Sequence, residues 1–286
     1  MSHESISRVL IIAGSDPSGG AGIQADIKAC AAFGAYSMTA VTALTVQNTQ
    51  GVTDVKMMDA AFVRAQIDAC VEDIGVDVVK IGMLGNADII RTVHEAIEPL
   101  DATVVLDPVM VATSGDRLLD EDAVELMKEL LVPIADLVTP NVPEAEIITG
   151  LSITDTDELA RAGEAILEMG AYAALMKGGH LDTKSIVDVL VSEDGASVMT
   201  GPRLYTKHTH GTGCTLASAT AAALALGANL DEAVSSARDY VFEAIRTAPK
   251  LGQGHGPLNH GLAQGEGLEA DDNDPSNPFA ALKGLT

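Results

Sequence analysis

The sequence predicts an α/β fold, with a mainly parallel sheet covered by helices on both faces. Two observations carry this. Short apolar runs alternate with helix-length amphipathic segments along most of the chain, the pattern of βαβ units. Nearly every run also ends in a cluster of Gly, Asp, Asn, Pro or Thr, at the carboxyl end of a strand, where such sheets bind ligands.

The chain opens with a continuous apolar run at 8–13, which fits a strand buried on both faces. A glycine-rich loop runs from Gly14 to Gly22, and residues 23–33 form a helix stopped by Gly34. The loop lacks the Gly-Lys-Ser/Thr ending of a Walker A motif and is not a clean dinucleotide fingerprint. Residues 36–46 read as one or two strand segments that end in Gln47-Asn48-Thr49-Gln50-Gly51. Another strand at 52–58 precedes a helix at 59–73 capped by Asp59.

From there the alternation repeats. Strands are expected at 76–81, 103–106, 137–138 and 171–176, ending in Gly82-Met83, Asp107-Pro108, Thr139-Pro140-Asn141 and Lys177-Gly178-Gly179-His180. Helices are expected at 86–97, 120–131, 143–149 and 155–169, with Pro143 allowed in a first turn. A loop carries Ser114-Gly115-Asp116. A hairpin pairs 186–191 with 197–204, and helices at 215–226 and 230–247 follow. No Pro/Ser-rich linker divides the chain, so residues 1–262 are read as one domain. Residues 263–286 are read as a loosely held acidic tail without function.

Composition excludes several classes. The net charge of −24, from 41 acidic and 17 basic residues, disfavours a nucleic-acid or anionic-membrane partner. Any phosphate site must be made locally, from a helix N-terminus, metal ions and a few chosen cations. The excess is explained by a solvated acidic surface or, more sharply, by adaptation to high salt, which screens self-repulsion. The three cysteines are far apart and make no metal spacing, which points to a reducing cytoplasm. No signal peptide and no membrane-length apolar run is present.

The motif around which the rest is arranged is Thr209-His210-Gly211-Thr212-Gly213-Cys214-Thr215. This glycine-containing turn runs directly into an alanine-rich helix. The first N–H groups of a helix lack intrahelical partners and carry partial positive charge, so such a turn can hold an anion. Alone, it reads equally as a turn that starts a buried helix.

Several segments together resemble the hydroxymethylpyrimidine/phosphomethylpyrimidine kinases of thiamine biosynthesis. They are Ala13-Gly14-Ser15-Asp16-Pro17-Ser18-Gly19-Gly20-Ala21-Gly22-Ile23-Gln24-Ala25-Asp26, Thr42 to Thr49, Lys80-Ile81-Gly82-Met83-Leu84, Leu106-Asp107-Pro108-Val109-Met110, Thr139 to Ala145, Met176 to His180 and Thr209 to Leu216. The resemblance covers roughly residues 8–262. It implies the three-layer α/β/α ribokinase-like fold, a homodimer, and phosphoryl transfer from ATP with Mg²⁺.

It also implies roles. Gly211, Thr212 and Gly213 form the anion hole. Cys214 stands where the sugar kinases of the superfamily carry an Asp base. A lowered pKa at the helix start would let Cys214 take the hydroxyl proton; otherwise it is a small packing residue. Gln47 reads the pyrimidine edge, since an amide both donates and accepts, with Gly14, Asp26 and Met83 as further substrate contacts. Asn141 and Glu144 match the superfamily's Asn-x-x-Glu motif for Mg²⁺ and phosphates, although a helix start with an acidic first turn is favourable by itself. Asp107 is a further metal candidate, and Lys177 offsets phosphate charge. His180 and His210 are the least certain. Rival readings are a pyridoxal kinase, a sugar kinase disfavoured by Cys214, and a non-catalytic pyrimidine binder that would not need a phosphoryl site.

Overall fold

The structure is a computed structural model that describes residues 6–261 except 112–114, 116–117 and 182. The expected acidic tail, and Ser114 and Asp116 of the expected loop, lie outside the described residues. Among the described residues nine strands form one sheet in the order β3-β2-β1-β4-β5-β6-β7-β8-β9. They are β1 (Arg8–Ser15), β2 (Tyr36–Asn48), β3 (Gly51–Met57), β4 (Val78–Ile81), β5 (Thr103–Leu106), β6 (Leu137–Val138), β7 (Ala174–Met176), β8 (Ser185–Ser192) and β9 (Gly195–Pro202). The run from β2 through β7 is parallel, while β3, β8 and β9 pair antiparallel.

Eight helices accompany these strands among the described residues: α1 (Gly22–Phe33), α2 (Ala60–Asp73), α3 (Ala87–Ile97), α4 (Glu121–Leu130), α5 (Val142–Thr149), α6 (Thr156–Glu168), α7 (Thr212–Ala225) and α8 (Leu230–Arg246). Helices α2 to α6 pack one apolar layer against the sheet and α1, α7 and α8 the other. The alternation of β1 makes this visible: Leu10 and Ile12 enter the first layer, Val9, Ile11 and Ala13 the second. No helix among the described residues is long and apolar enough to cross a membrane.

Local chemistry sets the boundaries. Asp59, Asn86, Asp155 and Asn229 each accept a hydrogen bond from a first-turn N–H, and Gly34 closes α1 with a φ of 86°. Several expected boundaries move. β4 begins at Val78 rather than 76, β7 at Ala174 rather than 171, and β9 spans Gly195–Pro202 rather than 197–204. α7 begins at Thr212 rather than 215, with Gly211 as its N-cap at a φ of 84°. Gly213 and Cys214 therefore sit in its first turn. Helix α7 is buried from Thr215 to Ala223, wedged between the sheet, α1 and α8, which explains its alanine content.

Because β1, β4, β5, β6 and β7 are parallel, their carboxyl ends lie along one edge. The chain leaves β1 for β2 on one side and reaches β4 on the other, so β1 and β4 flank a topological switch point.

Candidate active site

The carboxyl edge of the sheet brings together five chain segments. Asp107 follows β5, Thr139 and Asn141 follow β6, Glu144 lies in the first turn of α5, Lys177 follows β7, and Gly213 lies in the first turn of α7. Lys177 Nζ lies 3.0 Å from Asp107 Oδ1 and 4.0 Å from Glu144 Oε2. Thr139 Oγ1 donates to Asp107 Oδ1 at 3.2 Å. A Cβ built on Gly213 would sit 3.2 Å from Lys177 Nζ. The ammonium thus stands between two carboxylates and the first turn of α7.

Asn141 and Glu144 form a reciprocal capping box: Glu144 N donates to Asn141 Oδ1 at 3.0 Å, and Asn141 N to Glu144 Oε2 at 2.8 Å. Helix-start and site-forming roles coincide here. Burial pushes the Glu144 carboxyl up to about 7, with Asp107 adding and Lys177 opposing. Asp107 and Glu144 supply only oxygen donors, which suits Mg²⁺. No group of three or more metal-ligating side chains gathers among the described residues. These carboxylates therefore fit a cation that brings ligands of its own, such as phosphates and waters.

The anion-hole residues are placed at the helix start, with one refinement. Thr212 N–H already donates to Thr209 O at 3.2 Å, whereas the N–H groups of Gly213 and Cys214 have no backbone acceptor among the described residues. The positive end of α7 therefore rests on Gly213 and Cys214. At Gly211 only glycine fits: the φ is 84°, and a Cβ would run into the Gly20 carbonyl oxygen. Gly211→Ala is expected to destabilise the fold by about 2–3 kcal/mol and to cut kcat/KM at least about tenfold. Thermal denaturation and steady-state kinetics check this.

The expected lowering of the Cys214 pKa does not occur. Burial pushes the thiol up to about 12; Lys80 and the N–H of Gly22 pull against it, while Asp26 and Asp107 add to it. Burial and carboxylate neighbours beat the helix N-terminus, so the thiol is neutral in the free protein.

Across from this cluster, Gly14 sits at a register shift in β1, and a Cβ on it would lie 3.0 Å from Met83 Sδ. Gly14 and Met83 therefore face each other at the switch point. Gln47, half-buried near the end of β2, reaches the same end: its Nε2 is 3.4 Å from His210 Nε2. His210 is buried and its Nε2 lies 2.8 Å from Asp16 Oδ2. His180 is exposed in the turn after β7, and burial of its ring, then the charges of Lys177 and Arg203, lower its pKa.

Asp26 departs from its expected role as a substrate contact. It is 0% exposed. Both its oxygens lie 3.0 Å from Lys80 Nζ, and Ser218 Oγ donates to Oδ1 at 2.7 Å. Its bonding capacity is used beneath the site, tying α1 and α7 to β4. Burial alone would lower the Lys80 pKa; Asp26, then Asp107, hold the ammonium charged.

Asp16, Lys80, Thr139 and Ser218 were not assigned roles from the sequence. Asp16 and Lys80 lie inside the resembling segments, but nothing local names their partners. Asp16 holds the first loop together, accepting from Ser18 N and Oγ, Gly20 N and Ala21 N. Burial opposes its ionisation, but the bonds from His210, Ser18 and Ala21 prevail and lower its pKa from 3.8 to about 2. A depressed carboxyl stabilises the fold above the unfolded value and loses that contribution as pH falls through the folded one. Asp16 should thus contribute about 2 kcal/mol at neutral pH, lost between pH 3.8 and about 2. Urea titrations of Asp16→Asn and the parent chain across that window should converge.

An unpaired helix start facing a lysine and two carboxylates, at a switch point that also gathers Gly14, Met83 and Gln47, is the layout of a ribokinase-like small-molecule kinase. The family model described as phosphomethylpyrimidine kinase matches residues 16–259, and the chain belongs to that family. It is 48% identical to the hydroxymethylpyrimidine/phosphomethylpyrimidine kinase of Rhizobium meliloti, over 88% of this chain and 96% of that one. It is 49% identical to the thiamine biosynthesis bifunctional protein ThiED of Geobacter sulfurreducens, over 89% of this chain but only 52% of that protein. Among solved structures, phosphomethylpyrimidine kinase from Clostridium difficile matches at a TM-score of 0.76 and 44% identity, over 84% of this chain and all of that one. Pyridoxal kinase from Staphylococcus aureus, in complex with AMP-PCP and pyridoxal, matches at 0.84 and 35%, over 90% and 94%.

Proposed function

We propose that this chain phosphorylates 4-amino-5-hydroxymethyl-2-methylpyrimidine with ATP and then phosphorylates the monophosphate, in thiamine diphosphate synthesis. The observation that carries the reading is the placement of Gln47, Met83 and Gly14 across from the α7 start and Lys177. In the first step the substrate hydroxyl oxygen attacks the γ-phosphorus, its bond to the β-bridging oxygen breaks, and ADP leaves. Gly213 and Cys214 N–H groups and Lys177 would meet the charge that builds on the transferred group. Asp107 and Glu144, with Asn141 beside them, would hold Mg²⁺, which when bound neutralises phosphate charge.

The hydroxyl proton must go to a base. Cys214 can take it only as a thiolate, its own proton having first been released to water; the fixed charge of Lys80, which already pulls the thiol pKa down, would favour that form. The second step needs no base, because a phosphate monoester is already largely ionised at neutral pH, with a second pKa of about 6. Cys214→Ala is thus expected to reduce the first phosphorylation about 10²-fold and the second less than about threefold. Equal losses would count against a base role and leave Cys214 as packing.

A second reading, pyridoxal kinase, is favoured by the higher TM-score of the Staphylococcus aureus enzyme. Purified protein with Mg-ATP and, separately, hydroxymethylpyrimidine, its monophosphate and pyridoxal separates them. Turnover of both pyrimidines supports the main reading, pyridoxal preference the second, and no turnover removes both. Repeating the assay at low and high salt tests the salt adaptation inferred from the charge. We also assign one kinase domain over 1–262, acting in the cytoplasm as a homodimer, checked by limited proteolysis, fractionation and sedimentation.

A further inference from the structure

Two side chains converge on one ring nitrogen of His210. His210 Nε2 lies 2.8 Å from Asp16 Oδ2 and 3.4 Å from Gln47 Nε2. Asp16 already accepts from Ser18 N and Oγ, Gly20 N and Ala21 N, so it is an ionised carboxylate that can only accept. Its oxygen can tolerate Nε2 at 2.8 Å only if that nitrogen carries a proton. This holds whether the ring is neutral or charged, since imidazolium also carries a proton there.

A protonated Nε2 cannot accept from Gln47. The amide NH₂ would then face another donor. The other end of the amide meets a similar limit. Thr45 Oγ1 lies 2.9 Å from Ser15 O and 3.1 Å from Gln47 Oε1, but it has one proton to give. Spent on Ser15, the nearer acceptor, it leaves Thr45 an acceptor toward Gln47. Exchanging the amide's two ends removes both mismatches: Oε1 faces the His210 Nε2–H as a second, longer acceptor beside Asp16, and Nε2 donates to Thr45. Such an exchange leaves the side chain's shape unchanged.

The main chain of His210 is held, and its ring packs closely against Gly20. His210 N donates to Gly256 O at 3.1 Å, and a Cβ on Gly20 would run into His210 Cδ2.

We propose that Asp16 and His210 are positioning residues that fix which way the Gln47 amide points, and so set its specificity for the edge of the pyrimidine. The functional half rests on the reading of Gln47 as a pyrimidine contact. With its orientation fixed, Gln47 offers one amide N–H and one oxygen lone pair in a set order. An aminopyrimidine edge presents a donor beside an acceptor and pairs with only one order. A freely turning amide would discriminate less.

The tautomer is tested directly on the full chain labelled with ¹⁵N-histidine. The His210 signals among the 7 histidines are identified by their loss in His210→Phe. A protonated Nε2 is expected; a pyridine-type Nε2 overturns the proposal. Specificity is read from kcat/KM for hydroxymethylpyrimidine against its analogue lacking the 4-amino group. His210→Phe is expected to reduce that ratio about tenfold, chiefly through KM, and His210→Gln to restore part of it by supplying a donor. Gln47→Ala is run on the same pair. If it leaves the ratio unchanged, the Gln47 reading falls and takes the functional half with it. If Gln47→Ala collapses the ratio but His210→Phe does not, the positioning proposal alone falls.

Discussion

Lys177→Met is expected to lower kcat by about 10²–10³-fold while the protein stays folded. The ammonium stands 3.0 Å from Asp107 and 4.0 Å from Glu144, close to the first turn of α7. Among so few cations in a chain of net charge −24, it offsets phosphate charge where two carboxylates would otherwise repel ATP. Its loss acts a second way. Burial holds Glu144 up at about 7 and Lys177 is the largest influence pulling it down. Without Lys177 the carboxyl rises further and is protonated through more of the neutral range, so it stops serving as a cation ligand. The sign is testable: the alkaline-rising limb of kcat/KM should move to higher pH in the variant, and Glu144→Gln should abolish that limb. Losses under about threefold, or an unmoved profile, would remove Lys177 from the phosphoryl site. Methionine keeps most of the stem volume, so a circular dichroism melt close to that of the parent separates lost charge from lost packing.

Lys80→Met carries the largest expected cost in stability, about 3–5 kcal/mol. Both Lys80 and Asp26 have side chains with no solvent exposure, and the pair is bidentate at 3.0 Å. Removing the cation leaves a buried carboxylate with Ser218 Oγ as its remaining close partner. At about 2–4 °C per kcal/mol for a chain of this size, the melting temperature should fall by roughly 6–20 °C. The double variant Asp26→Leu/Lys80→Met should recover much of the loss, because an apolar pair carries no desolvation penalty. A single-variant loss below about 1 kcal/mol would mean that water or a neighbouring group takes over the charge. Because Ser218 lies one helical turn beyond Cys214, the same variants should also disturb the α7 start and lower activity in the folded fraction.

The sequence by itself determined the layered α/β architecture and the edge at which the site lies. Apolar runs that end in Asp107, Asn141 and Lys177 put those residues at strand ends, and parallel strands put the ends on one side. The resemblance paired Asn141 with Glu144 as an Asn-x-x-Glu motif, and the structure adds that the two form a capping box. Tertiary structure decided what depends on partners remote in sequence. Asp16 and His210 are 194 positions apart, and Asp26 and Lys80 are 54 apart. No local pattern shows that one carboxylate orders a loop and a histidine while the other is sealed beneath the site. The Cys214 pKa follows the same logic. Position at a helix start is legible in sequence and favours a thiolate. Burial, with Asp26 and Asp107 close by, reverses that preference, and packing alone brings those groups together.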